Sequence, residues 1–170
     1  MITKTNDRKV MMMAQAALIA AVYVALTLPF APIAYGPVQF RVSEALTILP
    51  YFTPAAIPGV TLGCFLSNFL MGAPLPDIVF GTLATFIGAV FTYRLRGHRY
   101  LAWTPPVVAN ALIIPWVLKF AYDVPDLVSF MMLTVGLGEV LAVGVLGNML
   151  LAALEKCKNL LFHMGGSVSR

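Results

Sequence analysis

Apolar side chains fall in six runs along the chain, at about 10–28, 42–56, 58–72, 76–93, 105–121 and 128–154. A helix needs about 20 apolar residues to cross the ~30 Å hydrocarbon layer of a bilayer. The first, fourth, fifth and sixth runs approach or exceed that length. The second and third are short and are punctuated by Pro50, Pro54 and Pro58. Short or broken helices persist at membrane depth where protein rather than lipid surrounds them; the alternative is one bent span over 42–72. The pattern predicts an all-α integral membrane protein whose helices form one bundle, a single domain over residues 1–170.

Charge decides between the two counts. Lys4, Arg8 and Lys9 precede the first run, Arg94, Arg96 and Arg99 follow the fourth, and Lys156, Lys158 and Arg170 follow the sixth. Basic residues near span ends stay in the cytoplasm, so the chain must cross an even number of times between residues 10 and 93. Four crossings satisfy this and three do not. Two more return it to the inside, which gives six transmembrane helices in a plasma-membrane protein with both termini cytoplasmic. Arg41 and Lys119 are left at the outer side. The first run exceeds a usual signal-peptide core and lacks a small-x-small cleavage site, so it reads as a retained span.

Composition agrees. Of the 170 residues, 60% are apolar and 11% charged, against roughly 25% charged in soluble domains. The net charge of +4 reports topology under this reading, and nucleic acid is not an expected partner.

The stretch "YGPVQFRVSEAL" is the anomaly. It sets Gln39, Arg41 and Glu44 at the start of the second span, although a charged side chain costs about 2.5–3.5 kcal/mol at the centre of a membrane helix. Arg41 and Glu44 stand i,i+3, so they can pair on one helix face or contact a ligand; both readings stay open. Asp77 opens the fourth span, and Asn68, Trp116 and Lys119 fall in the outer halves of theirs. Asn110 and Trp116 share the fifth span, in "NALIIPW". Glu139 lies about eleven residues into the last span, near mid-depth, flanked by Gly136 and Gly138 and with no partner on its own helix. Intramembrane ionisable residues are functional candidates by default. The expected substrate-binding set is therefore Glu139, Glu44, Arg41, Gln39, Asn110, Trp116, Asn68 and Asp77, converging on a cavity open to the outside. Trp116 also fits an outer aromatic belt, as Tyr93, Tyr100 and Trp103 fit an inner one. Asp123 and Asp126 read as solvated loop carboxylates.

The sequence contains no GxxxxGK[ST] loop for phosphate, no HExxH and no GxSxG. His98 and His163 fall at opposite ends of the fold, and Cys64 and Cys157 form no CxxC pair, so neither a metal centre nor a cofactor is expected. The chain is also short for two transport halves. A small membrane binder with no engine suggests a module that borrows one. An ion-coupled carrier, a structural packing protein and an intramembrane enzyme using Asp77 with Glu139 are the rival readings. In "AQAALIAAVYVAL", Ala17, Ala21 and Ala25 repeat every fourth residue with Ala16 and Ala20 alongside. Such a small-residue stripe lets helices approach closely, either at a partner interface or inside the monomer.

The segment "YGPVQFRVSEALTILPYFTPAAIPGVTLGCFLSN" resembles the signature region of the queuosine-precursor transporter family (QueT), and the likeness extends from the alanine-rich first span to the end of the sixth. Members are substrate-binding S components of energy-coupling factor (ECF) transporters. The resemblance implies a six-helix S component that captures a 7-deazaguanine base from outside. It would hand the base inward together with a transmembrane T component and two cytoplasmic ATPases. Ala17 and Ala21 would match the first-helix motif that meets the T component. An S component for another vitamin is the nearest alternative. A guanine-like edge presents two parallel donors that one carboxylate accepts in bidentate fashion. Glu139 or Glu44 is the expected clamp, with Asn110 or Gln39 for O6 and Trp116 for the ring face.

Overall fold

The computed structural model describes residues 2–30 and 40–161, with side chains over 6–30 and 40–156. Every regular element among them is helical. Helix α1 (Ile2–Thr27) ends in a single 3-10 turn, Leu28–Phe30. A 3-10 helix, Val42–Tyr51, follows, then α2 (Ala56–Leu70), α3 (Leu75–Arg94) and α4 (Thr104–Ala121). Helix α5 (Val128–Glu139) passes directly into a π-helical segment, Val140–Gly147, and on into α6 (Asn148–Leu161).

Four stretches are long and apolar enough to cross a membrane: Asn6–Phe30, Leu75–Arg94, Thr104–Ala121 and Val128–Lys156. Ala56–Leu70 is apolar but shorter. The first half of the 42–72 region is not an α-helix at all. Its ten 3-10 residues rise about 2.0 Å each, and every residue from Ser43 to Pro50 is buried. The segment is wrapped by protein, which is the condition under which irregular helix survives at membrane depth.

Large apolar side chains cover much of the outside and several charged side chains are buried, the arrangement that lipid as a solvent favours. Leu18, Phe65, Phe69, Phe80, Phe120, Leu133, Leu141 and Met149 are exposed, whereas Arg41, Glu44, Asp77 and Glu139 are buried.

Close backbone approach holds α1 to α2. A Cβ at Gly59 would stand 2.9 Å from Ile19 Cβ and 3.0 Å from the Ala16 carbonyl oxygen, and one at Gly63 only 2.6 Å from Tyr23 Cβ. Gly59 and Gly63 are one turn apart, as are Ala16 and Ala20, so two small-residue faces meet. Ala16 and Ala20 are thereby buried, while Ala17 and Ala21 face outward and are exposed. A similar contact joins α3 to α4, where a Cβ at Gly88 would approach Pro106 Cα to 2.8 Å.

The contacts define two ends. At one, Arg99 Nη1 pairs with Glu155 Oε2 at 2.9 Å. There the Thr92 hydroxyl also donates to the Ala102 carbonyl at 3.0 Å, and Ile48, Ala102 and Leu151 form a small core with Tyr51, Phe52 and Trp103 packed on it. Trp103 also lies over Gly144, whose Cβ would sit 3.3 Å from the indole ring. Arg8 and Gln15 of α1 line a groove with Phe52, Thr53 and Pro54. At the other end, the Thr27 hydroxyl meets that of Ser43 at 2.8 Å and that of Ser67 at 3.3 Å. Lys119 Nζ caps the loop after α4, reaching the carbonyl oxygens of Val124 (3.4 Å) and Asp126 (3.5 Å).

The α1–α2 contact leaves no room for a side chain. Gly63→Val should lower the thermal unfolding midpoint of the detergent-solubilised protein by several degrees, in line with the 1–3 kcal/mol typical of overpacking. Gly97→Ala, at a position with no atom within 4 Å of the added Cβ, should leave the midpoint unchanged. Equal midpoints for the two variants would show that the contact is dispensable.

Candidate functional site

Four charged side chains are buried among the described residues: Arg41 (6% exposed), Glu44 (1%), Asp77 (1%) and Glu139 (5%). Arg41 enters from the extended residue just before the 3-10 helix, Glu44 from the first turn of that helix, Asp77 from the first turn of α3, and Glu139 from the point where α5 becomes π-helical. Placement in a first turn suits Glu44 and Asp77, because an acid is favourable beside the unpaired N–H groups of a helix N-terminus.

Each acid has protein neighbours and one oxygen left without a hydrogen bond. The Tyr23 hydroxyl donates to Glu44 Oε1 at 2.5 Å, and the Thr85 side chain stands beside the same carboxylate. The Tyr122 hydroxyl donates to Asp77 Oδ2 at 2.7 Å, the oxygen that also faces Arg41 Nη2 at 3.7 Å. Asn68 Nδ2 donates to the Asp77 carbonyl oxygen at 3.4 Å and lies 3.8 Å from Cys64 Sγ. Gly81 makes room for both groups: its Cβ would stand 3.1 Å from Asn68 Nδ2 and 3.1 Å from Asp77 Oδ1. Glu139 has Asn110 beside it and feels the charges of Glu44 and Arg41. Arg41 is thus the electrostatic hub, acting on Glu44 and Glu139 and lying within ion-pair distance of Asp77.

Glu44 Oε2, Asp77 Oδ1, Glu139 Oε2 and Asn110 Nδ2 are buried without a hydrogen bond. An unsatisfied buried polar group costs about 1–3 kcal/mol, more when charged, so each one calls for an explanation. Three acceptors and one donor are thus buried within one cluster without a hydrogen bond.

Six of the eight expected residues meet here: Glu139, Glu44, Arg41, Asn110, Asn68 and Asp77. Trp116 does not join them. Its ring is 48% exposed, stacks on Phe120 at 6.2 Å and 11°, and lines an apolar groove of about 360 Å³ with Pro76, Phe80 and Leu112. Gln39 lies outside the described residues. Sequence reasoning missed Tyr23, Tyr122 and Thr85. The signal for Tyr23 was present, since Ala16, Ala20, Tyr23 and Thr27 recur at helical spacing on one buried face of α1. Tyr122 and Thr85 carry no comparable signal, because a Tyr after an apolar run and a Thr inside one are both ordinary.

A curated relative, the "Queuosine precursor transporter QueT" of Lactococcus lactis subsp. cremoris (strain MG1363), is 44% identical over 73 residues, which are 42% of this chain and 43% of the relative. The chain thus matches less than half the length of that relative. No solved structure matches the chain. The family model described as QueT transporter spans residues 13–156, from α1 through the buried charge cluster into α6, and this multi-pass membrane protein belongs to that family.

Proposed function

We propose that the protein is the substrate-binding S component of an ECF-type importer that takes a queuosine precursor, a 7-deazaguanine base, from outside the cell. The observation that carries this reading is the buried cluster: three carboxylates and an amide gathered around Arg41, with unsatisfied oxygens on every acid. The name of the Lactococcus relative supports the substrate class. The base fits the chemistry: its N1–H and 2-amino group are adjacent donors that one carboxylate accepts together, while O6 needs a donor. Glu139 with Asn110 beside it offers both on neighbouring helices, an acceptor from Glu139 and the donor Nδ2 from Asn110. A pocket built this way rejects analogues without the donors, since its own buried groups would go unpaired.

In this reading the chain passes through the membrane six times, the short passes being the 3-10 helix and α2, with both ends in the cytoplasm. Arg99 and Glu155 pair at one end, and Arg94, Arg96 and Lys156 are their close sequence neighbours, as expected for a cytoplasmic face. Arg41, Asp77 and Tyr122 meet toward the other end, the side of substrate entry. Hydrolysis of ATP belongs to two cytoplasmic ATPases joined through a T component, and the exposed Ala17 and Ala21 are the part of α1 that would meet the T component.

Calorimetric titration of the solubilised protein with 7-deazaguanines, guanine and unrelated vitamins tests the substrate. Glu139→Gln should weaken 7-deazaguanine binding at least tenfold, and Trp116→Leu, on the outer groove, should leave it unaltered. Tight binding of an unrelated vitamin in place of any 7-deazaguanine would replace the assignment. Separately, affinity purification of the tagged chain from its native membrane should bring down one further membrane protein and two ATPases. Recovery of the chain alone from a membrane that transports the base would point to a solitary carrier.

A further inference from the structure

The charges around Arg41 do not balance. Among the described residues, the buried ionisable side chains with a formal charge are one arginine and three acids. The segment 31–39, "APIAYGPVQ", leads into Arg41 and contains no charged residue, so it cannot supply the missing cation. Lys119 is turned to the carbonyl oxygens of Val124 and Asp126 instead. Arg41 lies within ion-pair distance of Asp77, which leaves Glu44 and Glu139 sharing whatever positive potential remains while each acts on the other. Two carboxylates so placed require a further positive charge between them, whether a proton or a ligand.

From this imbalance, and resting on the function proposed above, we infer that the protein selects 7-deazaguanines bearing a protonated amine on the 7-substituent over neutral ones, with Glu44 receiving the ammonium. The division of labour follows from the neighbours. Glu139 stands beside the Asn110 amide and offers the mixed acceptor–donor edge that a guanine face needs. Among the described residues, the side chains recorded beside Glu44 are the hydroxyls of Tyr23 and Thr85 rather than an amide. Its Oε1 is occupied by the Tyr23 hydroxyl and its Oε2 is buried and unsatisfied, while the nearby Thr85 hydroxyl donates to the Gly81 carbonyl oxygen at 3.1 Å, so Oε2 is left as an open acceptor. The Tyr23 ring, itself 1% exposed, adds an aromatic group of the kind that stabilises cations. Charge-assisted hydrogen bonds are roughly twice as strong as neutral ones and are stronger still where water is excluded. The ammonium therefore discriminates between bases that share one ring system.

The test is a matched ligand series on the full-length solubilised protein, read by calorimetry: 7-aminomethyl-7-deazaguanine, its neutral isostere 7-ethyl-7-deazaguanine, and 7-cyano-7-deazaguanine. The amine should bind at least tenfold more tightly than either neutral base. Glu44→Gln should close that gap by weakening the amine alone, and Glu44→Asp should keep a preference for it. A neutral base binding within tenfold of the amine would overturn the inference, leave the surplus charge to protons, and leave the queuosine-precursor assignment standing. An amine preference that survives Glu44→Gln undiminished would remove Glu44 from the role. Failure of all three bases to bind would instead overturn the proposed function. The wild-type series needs no variant to fold, so it decides the main question by itself.

Discussion

The interior is organised by a single guanidinium among three carboxylates. At an effective dielectric constant near 20, two unit charges about 4 Å apart interact by roughly 4 kcal/mol. Acids brought in by separate elements would therefore drive those elements apart if nothing positive stood between them. Arg41 supplies part of that positive charge. It lies within ion-pair distance of Asp77 at the start of α3 and acts on Glu44 and Glu139 from the 3-10 helix and the α5 end. Breaking a buried pair from one side typically costs 3–5 kcal/mol, because the remaining charge is stranded. The geometry of the site and the seating of three elements consequently rest on the same side chain. Tyr23 and Tyr122 extend this arrangement outward, each fixing one carboxylate oxygen and so deciding which oxygen faces inward.

Two irregular helices carry the acids into reach of each other. The 3-10 helix packs against the π-helical segment, and a Cβ at Gly147 would lie 3.4 Å from the Ala45 carbonyl oxygen and 3.6 Å from Ile48 Cβ. A 3-10 helix is wound more tightly than an α-helix, and a π segment more loosely, so the pair nests with small residues at the seam. Short π segments are frequent at functional sites, and here the departure from α geometry begins immediately after Glu139. Neither form would be stable facing lipid, where strained or poorly aligned backbone bonds have no water to turn to. Inside the bundle their backbone groups are shielded by other helices.

Much of this was legible in the sequence, and the failures have physical causes. Each apolar run contains helix, although α1 also extends ahead of its run to Ile2, because hydropathy over a span-length window reports burial in either lipid or protein. For the same reason it could not tell that 42–51 is a 3-10 helix buried in protein, since a wholly buried segment has no polar face to reveal its period. The ionisable residues Arg41, Glu44, Asp77 and Glu139 stood out because charge inside an apolar run has few structural explanations. Trp116 illustrates the opposite case. An aromatic near a span end satisfies a belt and a stacking site equally well by sequence, and its actual partner, Phe120, is simply one turn along the same helix. Arg41 and Glu44, spaced to pair with each other, were ambiguous for a similar reason: spacing along one helix says nothing about Asp77, which arrives from another.

The alanines of α1 show how one helix serves two surfaces. Ala16 and Ala20 are consumed by the contact with Gly59 and Gly63, and Ala17 and Ala21, a residue further round, face outward. Tyr23 continues the inward face and ends on Glu44. Because Gly63 meets Tyr23 with no space for even a methyl group, α1 cannot rock against α2 without moving the tyrosine. A partner protein that bore on the outward alanines and tilted α1 would therefore shift the hydroxyl that fixes Glu44 Oε1. The helix that exposes Ala17 and Ala21 thus also holds one of the buried carboxylates in place, so that a tilt of α1 has a short, rigid route to the charge balance within the bundle.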